Sequence, residues 1–589
     1  MVIAFRLLAH LTTLAVLAAG LLHAQTTRFF PLKDIRPGLH GKGKTVFSGT
    51  RIEDFDVEIL GVLQNIGPKQ NIILARLSGG PLEKTGIIQG MSGSPVYIDN
   101  RLVGAVALGF PFSKEPICGI RPIEEMLAST PALSAAPTAH ASLRDRSLTE
   151  HFPRRETSQT FDSKLIDIAT PVSFTGFTAG TLRQFAPQLR DIGLEPRQGI
   201  SGGGGPNSGT GAQGPLLPGS MISVQLLSGD MSVGADGTVT HIDGKRLYAF
   251  GHQFLSVGAT ELPFARSNVL ALLPNLSASF KISNSGEWLG AITADGTTAI
   301  SGELGRHPRT VPLTISVKGA RGPQIYRMEM VNDSMLSPLL LQMAMYSTLE
   351  STERTLGSAS IAVHGNIQFQ GNFPPVQLDN LFSGDFNVPL QSTLSTAIPV
   401  AYALQNSLGG LELKSIDLSL ESLNVKRQAQ IDQITASRRT VRPGEPIDLL
   451  VTLEGESGRD ITRKFTYRVP LGAPEGPLYF TVADGPTANV ADFVQFNVLQ
   501  ARPANQIISM LNQLRGNRLG YIRIWRSESN YQVEGADLPD PPPSVGMILA
   551  RAQPSLAGQI KSSKIAEMTF DAGDLSVTGS KTIQVEVKE

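Results

Sequence analysis

The chain has 589 residues, with 51 Lys or Arg and 51 Asp or Glu, so its formal net charge is zero. That balance argues against a nucleic-acid-binding protein, which usually carries a basic excess or stripe. The charged fraction of 17% and hydrophobic fraction of 41% argue against disorder throughout, and the 59 Gly and 39 Pro favour a β-rich chain of several domains with frequent turns.

The N-terminus has the pattern of a secretory signal peptide. Arg6 and His10 precede an apolar run over residues 11–22, and Ala24 completes a small-residue cleavage site before Gln25. The run is short for a membrane span, although an uncleaved anchor is the alternative. We therefore expect cleavage near Ala24 and a periplasmic or secreted protein without a stable membrane span after cleavage.

Residues 25–132 read as a first β-rich segment. Apolar residues alternate over 55–61, and a hairpin is indicated around Asp99. Pro122 favours a short helix ending at Ala128. The composition of residues 133–165, rich in Ala, Pro, Ser and Thr, predicts a linker.

A second β-rich segment is predicted over residues 166–325. Thr178 is expected to cap a helix that Pro187 should shorten or kink. The dipeptides Asp236-Gly237 and Asp243-Gly244 predict two type I′ hairpin turns. The glycine-rich run 201–214 lacks the Lys-Ser/Thr and the strand–helix context of a phosphate-binding loop, so we interpret it as a flexible connection.

The rest of the chain predicts three further regions. Residues 326–430 are expected to form an α/β extension with a helix over Ser334–Glu350, followed by alternating strands. Residues 431–500 suggest an immunoglobulin-like β-sandwich, and residues 501–589 a C-terminal α/β region with a helix over Asn505–Leu514. The predicted fold class is therefore mainly β, with a mixed α/β middle region and a C-terminal sandwich.

Metal and thiol chemistry find no support in the sequence. Cys118, the single cysteine, cannot form an intrachain disulfide or a Cys-based zinc site, and its neighbours predict a buried strand residue, with a catalytic thiol as the alternative. No group of His, Asp and Glu has metal-ligand spacing, so we expect no metal and no cofactor. A carbohydrate-active enzyme or lectin is disfavoured by 2 Trp and the lack of cleanly paired carboxylates.

The sharpest local signal is the run Gly90-Met-Ser-Gly-Ser-Pro95, which lies directly before the predicted hairpin. A Gly-x-Ser-Gly turn exposes the hydroxyl group of Ser92 on a tight backbone. The amides of Gly90 and Ser92 can converge on one point, as stabilisation of an oxyanion requires. Taken alone the signal is weak, because turns of Gly and Ser between strands are common.

A serine nucleophile needs a base with a pKa near 7, normally histidine. His252 is the candidate, because it follows Gly251 at the end of a predicted strand and a loop histidine after a permissive glycine can reach outward. The alternative is a histidine packed at a strand end.

A family resemblance joins these two signals. Residues 53–60, 82–96 and 102–106 closely resemble the serine-bearing half of the SpoIVB peptidase family, and residues 237–252 resemble its histidine-bearing half. The family comprises extracytoplasmic serine endopeptidases with trypsin-like chemistry. The resemblance implies a two-part, trypsin-like β-barrel or sheet region.

The resemblance also implies roles for individual residues. Ser92 would be the nucleophile, His252 the base, and the amides of Gly90 and Ser92 the oxyanion donors, whereas Ser94 would be structural. The two halves stand in swapped order, since Ser92 precedes His252 by 160 residues. Two separately folded halves can still close one site, because a triad is defined by geometry rather than chain order.

The sequence does not identify the acid that would orient His252. Residues 76–82, upstream of the serine, contain no carboxylate, and Asp54, Asp56 and Asp243 are candidates by sequence proximity, with a Ser–His dyad as the alternative. We expect an exported serine endopeptidase that makes limited cuts in a protein substrate. The alternative is a catalytically degenerate binding or assembly protein that uses the same β scaffold to hold a protein partner.

Overall fold

The computed structural model describes most of the chain after residue 28. The described residues are 29–110, 112–128, 141–143, 145, 147–148, 166–168, 171–199, 201–202, 214–255, 257–276, 278–319, 322–352, 356–408, 410–455, 458, 460–493, 502–527, 530–533, 536–538, 541–551, 557–560 and 563–589. The predicted signal peptide, most of the predicted linker and most of the glycine-rich run lie outside them.

The first part of the chain forms a closed six-stranded antiparallel barrel, called barrel 1. Its elements are a 3-10 helix (Leu32–Asp34), β1 (His40–Ser48), β2 (Arg51–Gly67), β3 (Gln70–Ser78), α1 (Leu82–Thr85), β4 (Ile88–Gln89), β5 (Pro95–Ile98), β6 (Arg101–Gly109), β7 (Ile117–Pro122), α2 (Ile123–Ala128) and β8 (Ile166–Asp167). The ring runs β1–β2–β3–β7–β6–β5 and closes because β5 also pairs with β1.

The interior of barrel 1 is apolar. The alternation over residues 55–61 places Phe55, Val57 and Ile59 inside, with the residues between them facing outward. Cys118 is buried in β7, which confirms the predicted strand residue, and burial raises the pKa of its thiol. A neutral, inaccessible thiol of this kind is a poor nucleophile.

A second closed barrel, called barrel 2, follows. Its region comprises β9 (Pro171–Thr175), α3 (Ala179–Asp191), β10 (Glu195–Gln198), β11 (Ser201–Gly202), β12 (Met221–Gly229), β13 (Ser232–Asp243), β14 (Arg246–Ala249), β15 (Gly258–Leu273), β16 (Ser279–Asp295), β17 (Ile300–Leu304), β18 (Thr310–Gly319) and β19 (Gly322–Val331). The ring runs β12–β13–β14–β17–β16–β15 and closes between β15 and β12. The predicted fold class, mainly β with a two-part barrel or sheet region, is confirmed.

Local predictions in barrel 2 have mixed outcomes. A hairpin turn directly follows Asp243, as predicted, but it is not of type I′, because Gly244 has a positive φ angle and Asp243 and Lys245 do not. The turn predicted at Asp236-Gly237 is wrong, because both residues lie inside β13. Asp236 is buried there, so a dipeptide typical of turns is part of the barrel wall. Thr178 caps α3 by accepting a hydrogen bond from the Thr181 amide, as predicted, and the helix continues past Pro187 to Asp191 rather than ending near it.

The sheet of barrel 2 continues into the predicted α/β extension. The extension contains α4 (Leu336–Thr352), β20 (Leu356–Phe369), β21 (Val376–Phe386), α5 (Val388–Asn406), β22 (Ser407–Leu408) and β23 (Leu413–Leu423). Strands β19, β18, β23, β20 and β21 extend the sheet from β12, and α4 and α5 pack within the same large core. Helix α4 confirms the helix predicted over Ser334–Glu350. Helix α5 lies in a region where alternating strands are predicted, so that prediction is wrong for its residues.

The last part of the chain forms a β-sandwich. The elements of this part are β24 (Gln428–Ala436), β25 (Thr440–Val441), β26 (Pro446–Gly455), β27 (Asp460–Arg468), β28 (Gly476–Ala483), α6 (Gly485–Phe493), β29 (Arg502–Pro503), α7 (Ala504–Asn512), β30 (Leu519–Arg526), β31 (Asn530–Val533), β32 (Ala536–Leu538), α8 (Pro543–Arg551), β33 (Ala557–Ile560), β34 (Ser563–Asp571), β35 (Ser576–Thr578) and β36 (Ser580–Val587). Of these, β29 pairs with β22, α7 packs in the large core of the extension, and β31, β32 and β33 form a small sheet of their own. The sheets β27–β26–β24–β35 and β25–β36–β28–β30–β34 share one apolar core, so strands from 431–500 and from 501–589 are interleaved in it. Within the described ranges, no helix is long and apolar enough to span a membrane.

Candidate active site

The candidate nucleophile lies in a tight turn between β4 and β5, called the serine turn and formed by residues 90–95. Gly90 and Gly93 have φ angles of 93° and 94°, a region that favours glycine. A Cβ atom on Gly93 would lie 2.6 Å from the backbone nitrogen of Phe250 and closer still to the carbonyl oxygen of Thr238. Barrel 2 therefore approaches this turn so closely that position 93 has room for glycine only.

Barrel 2 also pairs with the strand that leads into the serine turn. Strand β4 runs parallel to the start of β16, with Ile88 opposite Ser279 and Gln89 opposite Phe280. A strand of barrel 1 is thus incorporated in the sheet of barrel 2 immediately before Gly90. This pairing fixes where the turn begins relative to the second barrel.

Three carbonyl groups of the serine turn accept hydrogen bonds from barrel 2. The Ser92 carbonyl accepts from the Thr238 amide at 2.8 Å. The Gly90 carbonyl accepts from Thr238 Oγ1 at 2.9 Å, and the Gly93 carbonyl accepts from Thr240 Oγ1 at 2.7 Å. Thr238 and Thr240, both on β13, therefore hold the carbonyl group of Ser92 and those of two nearby residues in the turn.

The amides of the same turn are used differently. The amides of Met91 and Ser94 donate within the segment, to the Ile88 and Met91 carbonyls, and the Gly93 amide donates to Val106 in barrel 1. No acceptor among the described residues pairs with the Ser92 amide. Hydrogen-bond donors of this kind can stabilise an oxyanion, which is the role predicted for the Gly90 and Ser92 amides.

The candidate base lies where β14 ends. Phe250 and Gly251 have consecutive positive φ angles of 71° and 73°, which turn the chain away from β14 directly before His252. A left-handed phenylalanine is unfavourable, and such backbone strain clusters at functional sites. His252 Nδ1 donates to the Gln253 carbonyl at 2.7 Å, so in the neutral ring the lone pair resides on Nε2, as a general base requires.

The structure brings Ser92 and His252 to the same interface between the barrels. The Thr238 amide bonds the Ser92 carbonyl, and the Thr238 carbonyl accepts from the Phe250 amide at 3.3 Å, two residues before His252. Ser92 Oγ makes no hydrogen bond with any described residue, so it is not bonded to His252 here. Both residues are covered, with 0% of Ser92 and 2% of His252 exposed.

The three acids suggested by sequence proximity lie on the surface. Asp54 and Asp56 point outward from β2, and Asp56 forms an ion pair with Lys42 at 2.6 Å. Asp243 is exposed at the β13–β14 hairpin. None of the described hydrogen bonds or ion pairs joins them to Ser92 or His252.

A different carboxylate holds the histidine loop. Asp295, buried at the end of β16, accepts hydrogen bonds from the amides of Phe254 at 2.8 Å, Leu255 at 2.6 Å and Val257 at 3.3 Å. Sequence reasoning missed Asp295, because it lies 43 residues after His252 and only strand pairing brings it to this loop. The Asp295 carboxylate therefore fixes the backbone that follows the candidate base.

Two buried titratable groups, Lys281 and Asp236, lie behind the serine turn. Lys281 Nζ donates to the Gly90 carbonyl at 3.3 Å and to Thr45 Oγ1 at 3.0 Å. Burial lowers the pKa of Lys281 to about 7, and the nearby Asp236 opposes that shift. Burial raises the pKa of Asp236, whose carboxylate accepts from Ser283 and Ser267.

Among the residues that the structure describes, no cluster of three or more His, Cys, Asp or Glu could hold a metal ion.

Comparison with known families addresses barrel 1. Residues 32–127 match the SpoIVB peptidase S55 family. The match contains the serine turn and confirms the resemblance predicted for this segment, so barrel 1 is similar to the SpoIVB peptidase family. It ends before barrel 2, which carries His252. Searches of curated proteins and of solved structures each returned no match.

Proposed function

We propose that the chain is an exported, SpoIVB-like serine endopeptidase that makes limited cuts in a protein substrate. The observation that carries this proposal is the position of Thr238, whose backbone bonds both the Ser92 carbonyl and the chain that leads to His252. One residue of barrel 2 thereby connects both candidate catalytic groups. This connection is independent of the order in which the two barrels occur along the chain.

The proposed reaction proceeds through an acyl-enzyme. His252 Nε2 takes the proton of Ser92 Oγ as that oxygen attacks the substrate carbonyl carbon, and the Gly90 and Ser92 amides stabilise the oxyanion. The protonated imidazole then gives its proton to the leaving amine as the peptide bond breaks. Water hydrolyses the ester in the same way, with His252 again acting first as base and then as acid.

Substrate binding must uncover this site, because Ser92 and His252 are covered in the structure and are not hydrogen-bonded to each other. Catalytic hydrogen bonds are often loose without substrate and tighten in the complex. We assign Asp295 a positioning role, since its carboxylate orders the loop after His252.

Export is the second component of the proposal. The observation that supports export is the apolar run over residues 11–22, which is preceded by Arg6 and followed by Ala24. N-terminal sequencing of the mature protein recovered from the periplasm or medium should begin at Gln25. Recovery of the full-length chain from the cytoplasm alone would contradict this part.

A fluorophosphonate probe tests the chemistry, because it reacts with activated serines. We expect labelling of the folded wild-type protein at Ser92, with loss of labelling in Ser92→Ala and His252→Ala. Ser94→Ala is the matched control, since Ser94 lies two residues away in the same turn and its Oγ is equally buried and unbonded among the described residues. Persistent labelling of Ser92→Ala, or no labelling of the folded, signal-cleaved protein, would refute the proposal.

A non-catalytic binding or assembly protein is the second candidate. It is favoured by the burial of Ser92 and His252 and by the absence of a bond between them. In that case Ser92→Ala would leave the cellular phenotype of the protein unchanged. Under the endopeptidase proposal, the same substitution should reproduce the phenotype of a deletion.

A further inference from the structure

The interior of barrel 2 contains a lysine that no catalytic motif predicts. Lys281, on β16, is 3% exposed, and its side chain crosses to the serine turn of the other barrel. Its Nζ donates to the Gly90 carbonyl and to Thr45 Oγ1 on β1. Both acceptors belong to barrel 1, so this ammonium group connects the two barrels at the nucleophile.

Burying this charge is unfavourable for folding. Removing an ammonium group from water is costly in general, and buried ion pairs are often no better for stability than apolar residues of similar volume. The direction of the pKa shift at Lys281 reflects that cost, because burial disfavours the charged form. The nearby Asp236 on β13 acts on the pKa of Lys281 in the opposite direction and so offsets part of the cost.

The hydrogen bonds of the Gly90 carbonyl show which part of the serine turn Lys281 holds. Lys281 Nζ and Thr238 Oγ1 approach this oxygen together, so the peptide group between Gly90 and Met91 is fixed from barrel 2. The Met91 amide on the same peptide group donates to Ile88 at 3.0 Å and closes the turn before Ser92. The orientation of Ser92 therefore depends on donors that hold the Gly90 carbonyl.

We propose that Lys281 is a positioning residue for Ser92, acting through the Gly90 carbonyl rather than on the substrate. The inference rests on the proposed peptidase function and adds a residue to it. A purely structural lysine would contribute to stability and activity together. A positioning lysine contributes to activity while its buried charge opposes stability, so the two properties should separate.

The test compares Lys281→Met and Lys281→Gln with the wild-type protein. Methionine has a similar length and no charge or N–H donor, whereas glutamine keeps an N–H donor on a side chain one atom shorter. Asp236 can take up a proton when the lysine is replaced, since burial already raises its pKa. We expect the free energy of unfolding of Lys281→Met to equal or exceed that of wild type, measured in urea.

The rate of labelling at Ser92 should change in the opposite direction to the stability. We expect the rate of fluorophosphonate labelling at Ser92 to fall at least about tenfold in Lys281→Met, because the hydrogen bond to the Gly90 carbonyl is lost, and to recover in part in Lys281→Gln. Lys42→Met is the matched control, since it removes an exposed lysine from β1 that does not contact the serine turn. Labelling and stability that fall together in both Lys281 variants would overturn the proposal.

Hydrogen exchange gives a readout that needs no catalysis. Amide exchange in the peptide covering residues 88–94, measured at one pH, should be roughly tenfold faster in Lys281→Met than in wild type and unchanged in Lys42→Met. Thr45→Val, which removes the other acceptor of Lys281 Nζ, should give a smaller increase. Unchanged exchange in Lys281→Met would overturn the positioning role, whereas an unlabelled wild type with the expected exchange would refute only the peptidase function.

Discussion

The interiors of the two barrels differ in chemistry. Barrel 1, which carries the nucleophile, is filled by apolar side chains such as Phe55 and Val96. One part of barrel 2 is instead filled by polar groups that bond one another. These groups are Ser223, Gln225, Asp236, Ser267, Ser283 and Ser285.

This difference corresponds to different roles of the two barrels at the candidate site. Barrel 1 supplies the serine turn, but barrel 2 supplies the threonine and lysine donors that hold the carbonyl groups of that turn. The S55 match covers residues 32–127 and so includes the nucleophile but not these donors. The substitutions that test the site most directly are therefore those that change a contact between the two barrels.

Substitution of Gly93 should have the largest effect. In Gly93→Ala, the new Cβ atom would clash with the backbone of Thr238 on β13 and of Phe250 at the end of β14, so one of these strands would have to move. The φ angle of 94° adds backbone strain. We expect a loss of roughly 3 kcal/mol or more in the free energy of unfolding, and no labelling of Ser92.

Gly244→Ala is the matched control for this experiment. Gly244 also has a positive φ angle, at 60°, but nothing lies within 4 Å of an added Cβ atom at the β13–β14 hairpin. This variant should lose only about 1–2 kcal/mol and keep its labelling. Equal losses in both variants would show that backbone strain alone, and not contact between the barrels, matters at Gly93.

Asp295→Asn should have the next largest effect, and on activity in particular. The amide side chain has one acceptor oxygen where the carboxylate offers two, so part of the loop after His252 loses its anchor. We expect labelling of Ser92 to slow about 100-fold, as small displacements of catalytic groups can cost that much. Asp243→Asn, at an exposed turn, should label at the wild-type rate, and a loss there comparable to Asp295→Asn would favour the acid suggested by sequence proximity.

The candidate catalytic pair and the two-part barrel region were predicted through the family resemblance, because the local signals are weak on their own. Those signals are short-range: the serine turn needs glycine at positions 90 and 93, and Gly251 precedes His252 directly. Alternation in β2 and the Asp243-Gly244 hairpin are equally short-range. The nucleophile and base remain predictions, but the structure places both at one interface.

The groups that hold the site could not be predicted, because their partners are set by strand register over long distances. Asp236-Gly237 has the composition of a turn, yet Gly237 provides space for the Phe250 ring within β13. Lys281 reaches Gly90 across 191 positions of the sequence. Helix α5 was missed for a related reason, since it is apolar and buried along most of its length and lacks a polar face that would reveal its period.

Thr240→Val should have a moderate effect that separates the donors of barrel 2 from its packing. Valine has a similar shape but no hydroxyl group, so the Gly93 carbonyl loses its 2.7 Å hydrogen bond. We expect a cost of about 1–3 kcal/mol in the free energy of unfolding, measured in urea, and slower labelling of Ser92. Thr466→Val, which removes an exposed hydrogen bond to Asp448 in the sandwich, should change neither labelling nor stability appreciably.

Asp56→Asn should have the smallest effect and tests the outer surface of barrel 1. The Asp56–Lys42 ion pair is more than half exposed on both sides, and solvent screening leaves such pairs little influence on stability. Neither side chain contacts the serine turn, so the labelling rate at Ser92 should equal that of wild type at low and at moderate salt. A large decrease in labelling would mean that the charge on the outside of barrel 1 acts on the nucleophile, and control of the turn could then no longer be assigned to barrel 2 alone.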